Sequence, residues 1–145
     1  CAVKLGDDPE ELERELEYEF AAAKLYKGTD KVGAWMTRLV DYLAGKPPWP
    51  ELPYDVRATA FQRRVWDFLR RIPPGKQMHY SEVADALGAP QAVRAVGRAC
   101  ATNPVALVVP CHRVVARNGD LTGYRWGLER KRDLLELERG ECEEE

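Results

Sequence analysis

Apolar residues recur every three or four positions in several stretches of the chain, and each such stretch has its own start and stop signals. The first is Leu12, Leu16 and Phe20. Asp8 before it supplies a cap, Pro9 a first helical position, and Glu10 and Glu11 an acidic first turn, which predicts a helix with one apolar and one acidic face. A second helix is expected from Thr29-Asp30. It carries Val32, Trp35, Met36, Leu39, Val40 and Leu43 as a core stripe, and Gly45 ends it. Residues 46–53 hold four prolines and read as a stiff surface connection.

Short apolar runs at Ala2–Leu5 and Tyr54–Thr59 read as strands, the first stopped by Gly6-Asp7-Asp8-Pro9. From Thr59 a third helix presents Phe61, Val65, Trp66, Leu69 and Ile72 on one face and arginines on the others, until Pro73-Pro74-Gly75 stops it. Ser81 is then read as the cap of a short helix over 82–87, Gly88-Ala89 as a turn, and Pro90 as the opening of a helix over 91–101. Short helix, glycine turn and second helix form a helix-turn-helix plan. In its second helix Val93 and Val96 point to the core. Ala95 and Gly97 keep the profile slim, and Arg94 and Arg98 project. After Asn103-Pro104 the run Val105–Val109, closed by Pro110, reads as a buried strand delivering Cys111 to a fixed point. Gly123 and Gly127 bracket Tyr124, Arg125 and Trp126 in a loop suited to lining a pocket, and a last helix starts at Leu128 with Leu134, Leu135 and Leu137 for packing.

Charge changes this picture. The chain of 145 residues is 45% apolar and 32% charged, with a net charge of −2. Residues 1–60 carry 8 basic and 12 acidic side chains, residues 61–126 carry 10 and 4, and residues 127–145 carry 4 and 8. The positive charge is concentrated on the helix-turn-helix block, where a phosphate backbone is a candidate partner. No apolar run approaches the roughly 20 residues of a membrane span, and no signal peptide opens the chain, so a cytoplasmic address is expected, nucleoid-associated in a prokaryote. The four cysteines are scattered and only two histidines are present. Neither a structural zinc site nor a disulfide framework is suggested.

The candidate chemistry lies in Pro110-Cys111-His112-Arg113. Sulfur reacts as thiolate, and a free cysteine near pH 7 is only a few per cent ionised, so an adjacent base or cation matters most to a reactive cysteine. Taken alone, the dipeptide fits an inert buried thiol beside a surface histidine better than a reactive one, since most buried cysteines are inert.

With Pro-Cys-His-Arg-Val at 110–114, the upstream helix-turn-helix carrying Arg94, and Gly-Tyr-Arg-Trp-Gly at 123–127, the chain resembles the O6-alkylguanine-DNA alkyltransferases, and in particular the repair half of bacterial Ada-type proteins. The resemblance implies an α/β (α+β) fold: a ribonuclease H-like sheet-and-helix domain over 1–56, short of strands and so reading as trimmed at its start, then a mostly helical, winged-helix-like helix-turn-helix domain over 57–140, then an acidic tail over 141–145. It implies irreversible, single-turnover transfer of an alkyl group from guanine O6 in duplex DNA to Cys111 after the base is flipped out, by a monomer with no metal or cofactor. The resemblance makes His112 the base acting through a water, Glu138 the group that orients it, and Asn103 the residue tying the active segment to the recognition helix. Tyr80, Tyr124, Arg125, Trp126 and Val114 would surround the guanine. Arg94 would fill the vacated stack, with Arg98, Ala95 and Gly97 along the DNA. The alternatives are a non-enzymatic helix-turn-helix DNA-binding protein, either a regulator or an alkyltransferase-like damage sensor, and a cysteine hydrolase. In such sensors another residue stands at the cysteine position.

Overall fold

The computed structural model describes residues 1–28 and 30–143, with side chains as far as Gly140. Thr29, expected to begin the second helix, and the side chains of the acidic tail, including Cys142, lie outside the described residues.

Helix α1 (Pro9–Glu19) starts where its signals place it: the Asp8 carboxylate accepts from the Glu10 and Glu11 amides, and Pro9 occupies the first turn. Helix α2 (Asp30–Leu43) departs from expectation. Leu39 and Tyr42 are its buried side chains, while Val32, Met36, Val40 and Leu43 are exposed, so most of the expected core stripe faces outward. Helix α3 (Ala60–Leu69) carries a complete capping box between Thr59 and Gln62 and buries Val65, Trp66 and Leu69.

The stretch Tyr54–Thr59 is not a strand. Within it the Val56 carbonyl accepts from Arg63 of α3 at 2.8 Å, while the Asp55 carbonyl accepts from the Cys1 ammonium at 2.8 Å and the Asp55 amide donates to the Cys1 sulfur at 3.2 Å. Among the described residues the N-terminal half contains no sheet. The run Ala2–Leu5 contributes one isolated parallel bridge, between Val3 and Val105.

Strand β1 (Met78–His79) leads into helix α4 (Tyr80–Ala86). The helix begins before Ser81, because Glu82 reaches back to the His79 amide at 2.6 Å and makes His79 the cap. Gly88, at φ +71°, makes the turn. Helix α5 (Val93–Ala101) starts two residues later than the expected Gln91, with residues 89–92 as a turn. Val96, Ala99 and Cys100 face the core, and the Trp66 indole of α3 donates to the Ala99 carbonyl at 2.9 Å.

The run Val105–Val109 is buried as expected but is a compact turn rather than a strand. Its amides bond locally, Val108 to the Ala106 carbonyl and Val109 to that of Val105, and Leu107 takes a left-handed φ of 68°. An apolar non-glycine residue in that conformation costs on the order of 1–2 kcal/mol, held here by the packed surroundings. Next come a single 3₁₀ turn at Cys111–Arg113 and strand β2 (Val114–Val115). Strand β2 pairs in parallel with β1, Met78 opposite Val114 and His79 opposite Val115. Helix α6 (Leu128–Glu143) closes the chain and takes up the first part of the expected tail. The fold is thus mixed, mostly helical, with one two-stranded sheet. No described helix is long and apolar enough to cross a membrane.

Candidate active site

Five polar or charged side chains are buried among the described residues: Asn103, His112, Arg113, Lys131 and Glu138. Burying an unpaired polar group is costly, so the five mark where the fold concentrates its hydrogen bonding. Asn103 bonds the Cys111 sulfur, Lys131 acts on it electrostatically, His112 and Arg113 follow it in the chain, and Glu138 pairs with both of those; Cys111 itself is 3% exposed.

Asn103 follows α5 and acts as a staple. Its side-chain oxygen accepts from the Val105 amide at 3.0 Å, and its amide donates to the Val109 carbonyl at 3.0 Å and to the Cys111 sulfur at 3.2 Å. One side chain therefore closes the 105–109 turn and fixes the thiol relative to α5.

On the other side, His112 Nε2 lies 2.7 Å from Glu138 Oε1. A carboxylate there requires Nε2 to carry the proton, which leaves Nδ1 with its lone pair. Nδ1 is buried and has no hydrogen-bond partner among the described residues. Glu138 also accepts from the Arg113 guanidinium at 2.8 and 3.0 Å, from the Gly75 amide at 3.4 Å, and from the Tyr42 hydroxyl. Burial alone would raise the Glu138 pKa, but hydrogen bonds from His112 and Arg113 overcome it and hold the carboxyl down at about 2. Burial lowers His112, opposed by Glu138. Burial pushes the Cys111 thiol up, opposed by the Asn103 hydrogen bond and then by Lys131. The resting site is accordingly a neutral thiol beside a neutral imidazole.

The depressed Glu138 pKa makes a pH prediction. A group whose folded pKa lies below its unfolded value of 4.5 stabilises the fold above pH 4.5 and loses that contribution as pH falls towards about 2. The loss over that window is about 3 kcal/mol. Urea midpoints measured across it should fall steeply in the native chain and much less in Glu138→Gln.

Two residues take roles that their sequence pattern does not give: Arg113 reads only as a possible cation beside the thiol, and Lys131 is not singled out. Arg113 is fully buried: besides Glu138 it donates to the Ile72 carbonyl at 2.5 Å, and its guanidinium lies 4.1 Å from the Trp49 ring centroid. Lys131, on α6, is buried too and donates to the Val114 carbonyl at 2.7 Å and the Thr122 carbonyl at 3.0 Å, which ties the loop over 121–127 to the active segment. The spacing of seven residues between Lys131 and Glu138 was the available signal, since two turns of helix place both on one face.

The remaining expected residues fall into two groups. Tyr80, Tyr124 and Arg125 lie near enough to Cys111 to act on it electrostatically, Trp126 packs on Tyr124, and Val114 follows the 3₁₀ turn, but several of their polar atoms are engaged. The Tyr80 hydroxyl donates to the Thr122 carbonyl at 3.1 Å, Arg125 donates to the Asn103 carbonyl at 3.2 Å, and the Val114 carbonyl already accepts from Lys131. Burial, foremost, pushes the Tyr80 phenol up to about 12. Tyr124 and Trp126 are buried and pack edge to face at 5.4 Å. Arg94 and Arg98 are exposed on α5, Ala95 and Gly97 are half-buried beside them, and a Cβ added at Gly97 would meet nothing within 4 Å, so this face is open and slim. The positive block is less available than its charge suggests, because Arg63, Arg64, Arg70, Arg113 and Arg125 each donate to a main-chain carbonyl.

Comparison with known proteins places the chain in a family. Residues 60–140 match the family model described as 6-O-methylguanine DNA methyltransferase, DNA binding domain. The chain is 44% identical over 138 residues to the bifunctional transcriptional activator/DNA repair enzyme Ada of Escherichia coli (strain K12), covering 95% of this chain and 39% of that protein. It is 52% identical over 98 residues to the methylated-DNA–protein-cysteine methyltransferase of Mycobacterium bovis, covering 68% of this chain and 59% of the relative. It therefore spans well under two thirds of either relative. A crystal structure of Mycobacterium tuberculosis OGT in complex with DNA superposes with a TM-score of 0.71 at 50% identity, covering 75% of this chain and 67% of that one. The chain belongs to the 6-O-methylguanine DNA methyltransferase family, through the DNA-binding domain that occupies residues 60–140.

Proposed function

We propose that the chain repairs O6-alkylguanine in double-stranded DNA by moving the alkyl group irreversibly to Cys111, once per molecule, acting as a monomer in the cytoplasm. The observation that carries this reading is the buried thiol held by Asn103 beside a histidine whose Nδ1 lone pair is fixed by Glu138. The names of the relatives, which include methylated-DNA–protein-cysteine methyltransferase, support it.

In this mechanism α5 lies along the duplex and Arg94 takes the place of a guanine flipped out of the stack, since O6 cannot meet a sulfur in line while it is stacked. His112, through a water, takes the Cys111 proton, and Glu138 stabilises the imidazolium that forms. Sulfur attacks the alkyl carbon, the S–C bond forms as the O6–C bond breaks, and the electron pair passes to the guanine. Net, the thiol proton ends on guanine. Tyr80 would turn its hydroxyl from Thr122 towards the guanine ring as charge builds, and the backbone of the 124–126 loop would donate to O6. The Cys111 and Val114 carbonyls would take the exocyclic amine through the second lone pair that a carbonyl retains. Residues 57–140 form the DNA-reading and alkyl-acceptor domain in this reading, winged-helix-like in its finer architecture, and residues 1–56 a ribonuclease H-like one.

The test is stoichiometry. With excess duplex carrying one labelled O6-methylguanine, transfer should stop at one methyl per chain; continued turnover would overturn the proposal. For DNA reading, Arg94→Ala should slow repair about tenfold while duplex affinity falls only about threefold, because filling the stack acts on the flipped state more than on the encounter. Log affinity should fall linearly with log salt. Equal losses in rate and affinity would reduce Arg94 to a phosphate contact.

A further inference from the structure

Helix α2 is mostly exposed, yet Tyr42 on it is fully buried. Its hydroxyl donates to Glu138 Oε1, the same oxygen that pairs with His112 Nε2. The Tyr42 ring is in turn held edge-on by Trp49 at 4.8 Å and 86°. Trp49 also stacks on the Arg113 guanidinium at 4.1 Å and lies 6.0 Å from the His112 ring. Two residues from the N-terminal half therefore touch three members of the catalytic network, Glu138, Arg113 and His112.

A carboxylate on a helix can rotate about its terminal bond unless both oxygens are fixed. Arg113 spans both oxygens and the Gly75 amide adds a contact to Oε2, while Tyr42 adds a neutral donor to Oε1. We propose that Tyr42 is a positioning residue for alkyl transfer, its hydroxyl holding the Glu138 oxygen that His112 uses, so that α2 and the proline-rich connection complete a site whose reacting thiol lies in the C-terminal half. This rests on the alkyl-transfer reading above.

The hydroxyl also sets how strongly Glu138 draws on His112. The charged and titratable groups facing Glu138 are His112, Arg113, Tyr42 and Tyr124; those facing His112 are Glu138, Arg113 and Lys131. Of these, Tyr42 bonds Oε1 directly without carrying charge, so changing it alters the carboxylate's acceptor strength and leaves the net charge of the site intact. Removing the donor leaves Glu138 a stronger acceptor for imidazolium, which raises the pH below which His112 is protonated and cannot act as base. A more acidic phenol has the opposite effect.

The experiment compares single-turnover methyl transfer in the native chain, in Tyr42→Phe and in a chain with difluorotyrosine at position 42, each across the acidic limb of the pH–rate profile. Expected are a rate constant about tenfold lower in Tyr42→Phe at unchanged duplex affinity, its acidic limb moved to higher pH, and the limb of the difluorotyrosine chain moved to lower pH. A tyrosine that merely packs would change the melting temperature and leave the limb in place. Should Tyr42→Phe fail to fold, the difluorotyrosine chain decides alone. Unchanged limbs with normal transfer overturn the positioning role while the alkyl-transfer reading stands; a native chain that transfers nothing overturns both.

Discussion

Arg113→Ala will destabilise the chain by about 3–5 kcal/mol, because it leaves the Glu138 carboxylate buried without its cation. The same change removes the donor to the Ile72 carbonyl and the stacking partner of Trp49. Total stabilities of domains this size are about 5–15 kcal/mol, so the variant should be marginally folded at physiological temperature. Arg113→Lys should recover only part of the loss, since an ammonium cannot reproduce a fork that bridges both carboxylate oxygens and sits over an indole. Urea unfolding of the three proteins decides this. A loss below about 1 kcal/mol in Arg113→Ala would mean that the ion pair contributes little beyond a surface bridge.

Glu138→Gln should lower the rate strongly while leaving the acceptor thiol in place. The carboxamide is nearly isosteric but neutral, so it neither stabilises an imidazolium nor selects the tautomer that leaves His112 Nδ1 free. General-base assistance contributes about a hundred- to ten-thousandfold, and most of it should disappear from the single-turnover rate while duplex affinity, set by the distant arginines of α5, stays the same. The variant also leaves Arg113 without a counter-charge, so the folded fraction must be measured alongside the rate. A rate within threefold of native in the folded protein would remove Glu138 from the mechanism.

Much of this was legible in the sequence where short-range chemistry decides. Asp8-Pro9 and Thr59 begin the helices they were expected to begin, because each cap is satisfied within three residues. Cys111, His112, Asn103 and Glu138 do converge. Where local signals compete, the expectation failed: Ser81 is a good cap, but Glu82 reaching the His79 amide starts α4 earlier. Periodicity does not distinguish a buried strand from a buried turn, and only the Asn103 staple and the left-handed Leu107 decide the fate of 105–109. The 54–59 stretch bonds Arg63 and Cys1 in place of a strand, partners whose reach to it is invisible in a linear chain. Lys131, and the buried role of Arg113, were hidden for a related reason. Charged residues are assigned to the surface by composition, and a buried cation becomes visible only with the carboxylate or carbonyls that hold it.

The central claim is that Cys111 accepts the alkyl group, and intact-mass spectrometry tests it most directly. After incubation with a duplex carrying one O6-methylguanine, the chain should gain the mass of a single CH2 unit, a methyl in place of the thiol hydrogen, located at Cys111 and absent in Cys111→Ala. No gain in mass, or the same gain in Cys111→Ala, would contradict it.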